Sequence, residues 1–485
     1  MVGLEQKNAP LWESLLKQKF AGAAQLHIPG HRGGQAIPPE FLDLAGTGIF
    51  QLDLTEIPGL DDLHDPRQAI AEAQKLAAEL YGAEKSFFLV NGTSGGLLAL
   101  MLACCHQGDK IIVPRNAHKS IFSGLVLSGA APVYYYPRIM KDFFCSNGPD
   151  VWQIKNKFKK EQGIKAVMAV HPTYYGIAGD LPKVADCCRE NNVPLLVDEA
   201  HGSHLKFHRN LPPDALSCGA DAVVQSMHKM GGSLTQSSLL HIQGPYLDRK
   251  RLAEALRMVQ SSSPSYLLMA SLDLARRQLA LKGEELMGKA LEKALWCRER
   301  LEKLKGVKVL NQAYLDGDGA RYFDRTRLTF SLQDLGFSGY QVSQQLEQKY
   351  GVFVEMADIA CVVAVISLGT TWEDCRRLMH GIEELTRSQT QTVSRFYPET
   401  FMLPEPVSHL TPREAWLRPS VTIPLEQSLG SISAATVAVY PPGIPALCPG
   451  EEITKDILEY LQEVRQKGYP CHGLEDSGLK VILEV

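Results

Sequence analysis

Between residues 65 and 226 the chain alternates short apolar runs with helical patterns, and this succession limits the fold more than any other feature. The runs are FFLV (87–90), KIIVP (110–114), PVYYYP (132–137), KAVMAV (165–170), PLLVD (194–198) and DAVVQS (221–226). They are apolar almost throughout, with no alternation of polar and apolar positions, and a strand without a polar face is covered on both sides. Helical stretches lie between most of them. PRQAIAEAQKLAAELYG opens on Pro66, closes on Gly82 and carries Ile70, Ala73, Leu76, Ala77 and Leu80 at helical spacing. The expected architecture is therefore α/β, a mostly parallel sheet with helices on both faces. Ligands of such sheets collect beyond the carboxyl ends of the strands.

The remaining segments divide the 485 residues further. Residues 1–60 read as an N-terminal segment and 61–305 as the large domain, which closes with a helical zone at about 245–305. Residues 306–388 read as a small α+β domain carrying TRLTFSL and CVVAVISLG. Residues 389–423 are rich in Pro, Ser and Thr and lack periodicity, which predicts a linker. Residues 424–485 form a compact C-terminal α+β domain with the loop YPPGIPALCPGE. A formal charge of −4 gives no electrostatic case for nucleic acid or an anionic membrane as partner. The longest apolar run, IACVVAVISLG, falls well short of the ~20 residues of a membrane span. The charged N-terminus is not a signal peptide, and eleven cysteines without a C-x-x-C pair suit reduced core thiols. A cytoplasmic location is expected.

The polar oddities cluster where the predicted strands end. VNGTSGG follows the first run, RNAH the second and HPTYYG the run at 165–170, while LLVDEAHGSH and SMHK close the last two. Strand-Asp-Glu-Ala-His also occurs in helicase ATPases, but that reading needs G-x-x-x-x-G-K-[ST]. The nearest match, GEELMGKA at 283–290, ends in alanine, lies within a helical stretch and follows no strand. A metal site on His201 and His204 lacks a third ligand at suitable spacing, and Pro29 and Gly30 break any helix that would pair His27 with His31. No metal is expected.

As parts of one site the loops fit better. Thr93, Ser94 and Gly95 at a helix N-terminus offer N–H groups and hydroxyls to a phosphate. His118 offers a flat ring for stacking. Asp198, at the edge of an apolar strand, can hold a pyridine nitrogen protonated. Lys229, which ends the run at 221–226 beside Ser226 and His228, is an amine in an apolar setting, where its pKa falls towards nucleophilicity. These are the four parts that pyridoxal 5'-phosphate requires.

The motifs HIPGHRGG, DLTEIPGLDDLHDP, FFLVNGTSGG, RNAHKS, HPTYYGIAGDL, LLVDEAHGSHL and SMHKMGGSLTQSSLLH resemble the bacterial fold-type-I ornithine/lysine/arginine decarboxylases. The tail VTIPLEQSLGSISAATVAVYPPGIPALCPGEEI resembles their C-terminal domain, so the likeness spans roughly residues 20–485. It implies a fold-type-I pyridoxal-phosphate fold in which Lys229 is the covalent anchor, Asp198 pairs with the ring nitrogen and His118 stacks on the ring. By the same likeness Ser94, Ser226 and His228 contact phosphate, and His201 and Thr173 lie close to the cofactor. Lys229, His228 and His118 are the expected catalytic residues, with His228 or Lys229 returning the proton to Cα. The first motif begins at His27, leaving no room for the N-terminal wing domain of the large members. Short members of this kind act most often on arginine, giving agmatine and CO2, and less often on lysine (to cadaverine) or ornithine (to putrescine). A homodimer or higher homo-oligomer with active sites at the interface is implied as well.

Two other readings share the scaffold. An aminotransferase or aldolase would use the same cofactor and typically clamps the substrate carboxylate with an arginine. A non-catalytic regulatory homologue is disfavoured because Lys229 and Asp198 are both present. A basic substrate also calls for a carboxylate distant from Lys229, drawn from Asp53, Glu56, Asp61, Asp62, Glu355 and Asp358. Glu355 is the preferred choice because it follows the apolar VFV, where burial is expected, and Asp53 is the reserve.

Overall fold

A computed structural model describes residues 4–19, 22–317, 319–388, 406–439 and 444–483. Seven strands carry the expected α/β pattern: β1 (Lys85–Leu89), β2 (Lys110–Pro114), β3 (Ala131–Tyr135), β4 (Ile164–Val170), β5 (Leu195–Asp198), β6 (Ala222–Gln225) and β7 (Ser238–Ile242). All but β7 coincide with an apolar run of the sequence. The chain forms two compact units. One holds the residues up to Ala103 with Leu196–Arg209 and Pro213–Met287, and the other holds Cys104–Leu195, Asn210–Pro212 and everything from Gly288. This partition cuts across the 61–305 domain expected from sequence.

In the first unit the strand order is β1-β7-β6-β5. β7 pairs antiparallel with both β1 and β6, whereas β5 and β6 are parallel, with Val197 opposite Val223. β1, β5 and β6 consequently run in one direction and end at one edge. The helix Ala69–Tyr81 covers the sheet through Ile70, Ala73, Leu76 and Ala77, the stripe expected from their spacing, and stops at Gly82 with φ +76°. Residues 5–19 are part of this unit. Leu11 and Leu15 of helix Pro10–Lys19 are fully buried, and Asp273 accepts the Leu11 N–H at 3.1 Å while pairing with Arg276 at 2.6 Å.

In the second unit β2 lies between β4 and β3 and is parallel to both. A four-stranded antiparallel sheet, Lys308–Val309, Arg327–Ser331, Val362–Val365 and Met356–Ala357, packs on helices Gly339–Tyr350 and Trp372–Ser388 through Leu328, Phe330, Leu346 and Ile382. Two small C-terminal sheets enclose helix Lys455–Gln466 around Leu447, Ile457, Leu461 and Leu479. The linker expected at 389–423 is corrected in part. Residues 389–405 lie outside the described residues, but 412–417 form a helix capped by the Thr411–Glu414 box, and Ser420–Ile423 pairs with Gly478–Ile482. Prolines and hydroxyl residues that suggested a linker act there as helix caps.

Candidate active site

The carboxyl-end edge of the first unit gathers most of the polar residues singled out by sequence. After β1 the chain turns at Gly92, whose φ of +67° suits glycine, into the helix Gly92–Cys104. A Cβ on Gly96 would stand 2.7 Å from side-chain atoms of Leu89 and Val224, so only glycine lets the helix settle this closely on β1 and β6. That approach sets Thr93, Ser94 and Gly95 in the first turn, where backbone N–H groups have no partner within the helix. Thr93 Oγ1 lies 3.2 Å from Ser226 Oγ, and Ser203 Oγ donates to the Ser226 carbonyl at 3.2 Å.

Asp198 ends β5, is 5% exposed, and accepts the Ala200 N–H on Oδ1 at 3.1 Å. Lys229 Nζ is 2.9 Å from His201 Nε2. His228 Nδ1 stands 3.0 Å from the Ser237 carbonyl. A carbonyl only accepts, so Nδ1 carries the proton and the other ring nitrogen is the acceptor of the neutral imidazole. Beneath this edge runs a buried chain of polar groups. Glu199 accepts from Ala215 N–H at 2.7 Å and from Gln225 Nε2 at 2.6 Å, while His241 bridges Gln225 Oε1 (3.2 Å) and Ser86 Oγ (2.6 Å). Burial pushes the Glu199 carboxyl well up and the His241 imidazole down to about 3, so both favour their neutral forms.

In the second unit His118 follows β2 as the N-cap of helix Lys119–Ser128. Its Nδ1 accepts the Ser120 N–H at 3.3 Å and lies 2.8 Å from Ser120 Oγ, which fixes the ring and leaves its proton on Nε2. Thr173 follows β4 and is buried; its N–H donates to the Ile177 carbonyl at 2.9 Å and its Oγ1 accepts the Ile177 N–H at 3.2 Å. His118 and Thr173 line one narrow cavity.

The sequence matches the Orn/Lys/Arg decarboxylase major domain over residues 9–374 and the C-terminal domain of the same enzymes over 389–479. The chain belongs to the Orn/Lys/Arg decarboxylase family. It is 38% identical over 480 residues to the arginine decarboxylase of Bacillus subtilis, covering 99% of this chain and 98% of that one. The arginine decarboxylase of Bacillus anthracis is 36% identical over 483 residues, with 99% and 98% covered. Among solved structures, the lysine decarboxylase of Francisella novicida superposes with a TM-score of 0.84 at 23% identity, over 99% of this chain and 82% of that one. The fold is accordingly the fold-type-I one, with its mostly parallel sheet and C-terminal domain.

Within this decarboxylase fold several expectations need correction. Lys229 does not end a strand. β6 stops at Gln225, and Lys229 sits in the single helical turn Met227–Met230, closed by Gly231 and Gly232. Glu355 is exposed, not buried, because the run before it alternates: Val352 and Val354 pack against the core, while Phe353, 81% exposed, and Glu355 turn outward. The argument for Glu355 as a buried carboxylate therefore fails. Asp53 is half-exposed and spends its charge on His31, 3.1 Å away. The carboxylate of that group that is buried in the second unit is Asp358.

The sequence reading also passed over Arg115. It is buried and makes a two-pronged ion pair with Glu451, at 2.6 and 2.8 Å, tying the loop that carries His118 to the C-terminal strand Ile444–Leu447. A cation directly after the apolar run KIIVP was the available signal.

Proposed function

We propose that the chain is a pyridoxal-phosphate-dependent arginine decarboxylase that releases agmatine and CO2. The observation that carries this reading is the Lys229 amine held 2.9 Å from His201, in the unit whose strand edge also bears buried Asp198 and the Thr93–Ser226 contact. The names of the two Bacillus relatives support arginine as substrate. The donor set fits the cofactor: an amine for its aldehyde carbon, a buried carboxylate for its ring nitrogen, and hydroxyls with backbone N–H groups at a helix start for its phosphate. Lys229 and Asp198 fill the first two roles. Thr93, Ser94, Gly95, Ser226 and His228 hold the phosphate, His118 covers the ring face, and Thr173 and His201 complete the surroundings.

When bound, pyridoxal phosphate supplies a protonated ring able to accept the electrons of a breaking Cα–carboxylate bond. The side chains do the rest. His201 Nε2, 2.9 Å from Lys229 Nζ, orients the amine. Asp198, shielded from water, keeps a proton on its partner nitrogen by a charge-assisted hydrogen bond. Water exclusion favours departure of a carboxylate that is poorly solvated. Lys229 or His228 returns a proton to Cα.

The enzyme acts in the cytoplasm as a homodimer or larger homo-oligomer. Its eleven cysteines, with no C-x-x-C pair among them, suit a reducing compartment. Leu26, Ile28, Phe41 and Leu44 are exposed apolar side chains of the N-terminal segment, Leu26 and Leu44 each at 88%, and a second subunit would shield them from water. The test is to incubate purified protein and cofactor with arginine, lysine and ornithine and to identify the product. Agmatine from arginine is expected. Faster release of cadaverine or putrescine overturns the substrate, and a keto acid in place of an amine overturns the reaction.

A further inference from the structure

The second unit contains a cavity of about 360 Å³ whose wall includes Asn116, Tyr175, Tyr340, Asp358, Tyr460 and Tyr469. It shares Asn116, Ser146, Tyr175 and Ile444 with the narrow cavity that holds His118 and Thr173. On its other side it shares Tyr340, Ile359 and Tyr469 with an open groove that bears Glu347 and Glu355. The Tyr340 and Tyr469 rings stand 5.5 Å apart with their planes inclined 33°, in the wall common to groove and cavity.

The charges of this wall are unequal in one respect. Arg115 is neutralised by Glu451, and Arg138 lies 3.6 Å from Asp150. Asp358 is buried, yet among the described residues no lysine, arginine or histidine stands within ion-pair distance of it. It accepts the N–H groups of Ala360 and Cys361 on Oδ1, both at 2.7 Å, and the Tyr175 hydroxyl on Oδ2 at 2.6 Å. Burial raises its carboxyl pKa despite those bonds, which measures the cost of an anion with no cation at hand. A second acceptor lines the same cavity. Asn116 spends its amide N–H groups on Ser146 Oγ and the Asn147 carbonyl, while its buried Oδ1 has no hydrogen-bond partner.

An anionic acceptor, an unused neutral acceptor and five tyrosines around one space, Tyr136 among them, suit a planar cation rich in N–H donors. We propose that Asp358, with Asn116 and the tyrosine cage, binds the guanidinium of the substrate and sets the preference for arginine. The inference rests on the decarboxylase reading for its substrate class. A guanidinium has five N–H donors, enough to serve Asp358 and Asn116 together, and its flat face matches the rings. A compact ammonium offers three donors and no face.

The decisive variant is Asp358→Asn, which keeps an oxygen for the Ala360 and Cys361 N–H groups, removes the charge, and puts in place of Oδ2 an amide N–H that the Tyr175 hydroxyl oxygen can accept. Its reporter is agmatine, which carries the guanidinium and has no carboxylate to lose, titrated calorimetrically into the cofactor-loaded protein. Citrulline, the neutral isostere of arginine, is the control. Agmatine affinity is expected to fall at least about ten-fold, as for loss of a charge-assisted bidentate contact. Citrulline affinity and the visible spectrum of the cofactor should stay as in the parent. Agmatine affinity within two-fold of the parent overturns the inference, as does tighter binding of cadaverine than of agmatine by the parent. If Asp358→Asn does not fold, Tyr469→Leu, at a partly exposed ring of the cage, should weaken agmatine by roughly three-fold or more and spare citrulline. Equal agmatine binding in that variant overturns it too. Agmatine binding that follows Asp358 in a protein releasing no amine would reject the decarboxylase reading and leave this site standing. Release of agmatine with unchanged Asp358→Asn binding would do the reverse.

Discussion

Glu451→Gln should destabilise the second unit far more than a surface charge change, and the structure indicates by how much. The Arg115 and Glu451 side chains are 4% and 2% exposed, so neither charge is solvated. Glu451 takes both guanidinium prongs, and its Oε2 also accepts the Cys448 N–H at 2.7 Å. Arg115 donates further to the Pro445 and Ala446 carbonyls at 3.1 and 3.2 Å and lies over the Tyr134 ring at 4.7 Å. An amide in place of Glu451 turns one N–H towards the guanidinium and leaves a buried cation without its anion. Breaking such a pair from one side costs about 3–5 kcal/mol. Arg115→Met breaks it from the other side, at a similar cost. The double variant buries no charge. It still strands the Pro445 and Ala446 carbonyls, at about 1–3 kcal/mol for each group left unsatisfied, while the amide oxygen at position 451 goes on accepting the Cys448 N–H. The two single losses should therefore exceed the double loss by about 3 kcal/mol or more in a double-mutant cycle read by urea unfolding. Glu451→Gln within about 1 kcal/mol of the parent, or additive losses, would falsify the claim that this pair fastens the His118 loop to the C-terminal strand.

Three further outcomes are expected. Lys229→Ala should abolish turnover, and borohydride treatment of the parent should fix the cofactor on the peptide containing Lys229; label on another lysine rejects the anchor. Asp198→Asn should lower turnover on the order of 100-fold with cofactor still bound, and near-parental rates in a cofactor-loaded variant exclude its role. His241 gives a pH signature. Its folded pKa, lowered by burial to about 3, lies below the ordinary value of 6.5, so across that window the unfolded chain takes up a proton the folded one refuses. Stability from this group is thus lost as pH falls, at about 1.4 kcal/mol per pH unit. Glu199, pushed up by burial, acts in the opposite sense, so the comparison must be between parent and His241→Gln. Between pH 6.5 and 5 the variant should lose roughly 2 kcal/mol less than the parent in urea unfolding, and equal pH slopes count against a buried neutral imidazole.

What was legible in the sequence follows from how each residue meets its surroundings. β1 to β6 are covered on both faces, so their composition alone marked them, and the loops after them carry polar residues because the sheet ends there. β7 escaped notice for the same physical reason in reverse. Ser238 and His241 are fully buried in it, and His241 is acceptable there because Ser86 and Gln225 lie across the neighbouring strands, partners far apart in sequence. The stop of β6 at Gln225, which moves Lys229 into a helical turn, follows from Gly231 and Gly232 after it, and the sequence showed both glycines without showing which geometry they serve. The preference for Glu355 over Asp358 rested on three apolar neighbours, a local cue for burial. Burial of a carboxylate is settled by distant groups instead: Tyr175, 183 positions away, donates to Asp358, and nothing in the VFV run encodes that contact. Arg115 and Glu451, 336 positions apart, obey the same logic. A charged residue inside a fold is stable only with a partner, and the partner is set by topology. Sequence can therefore name the elements that build the edge of the sheet, while the choice among its acids belongs to the tertiary contacts.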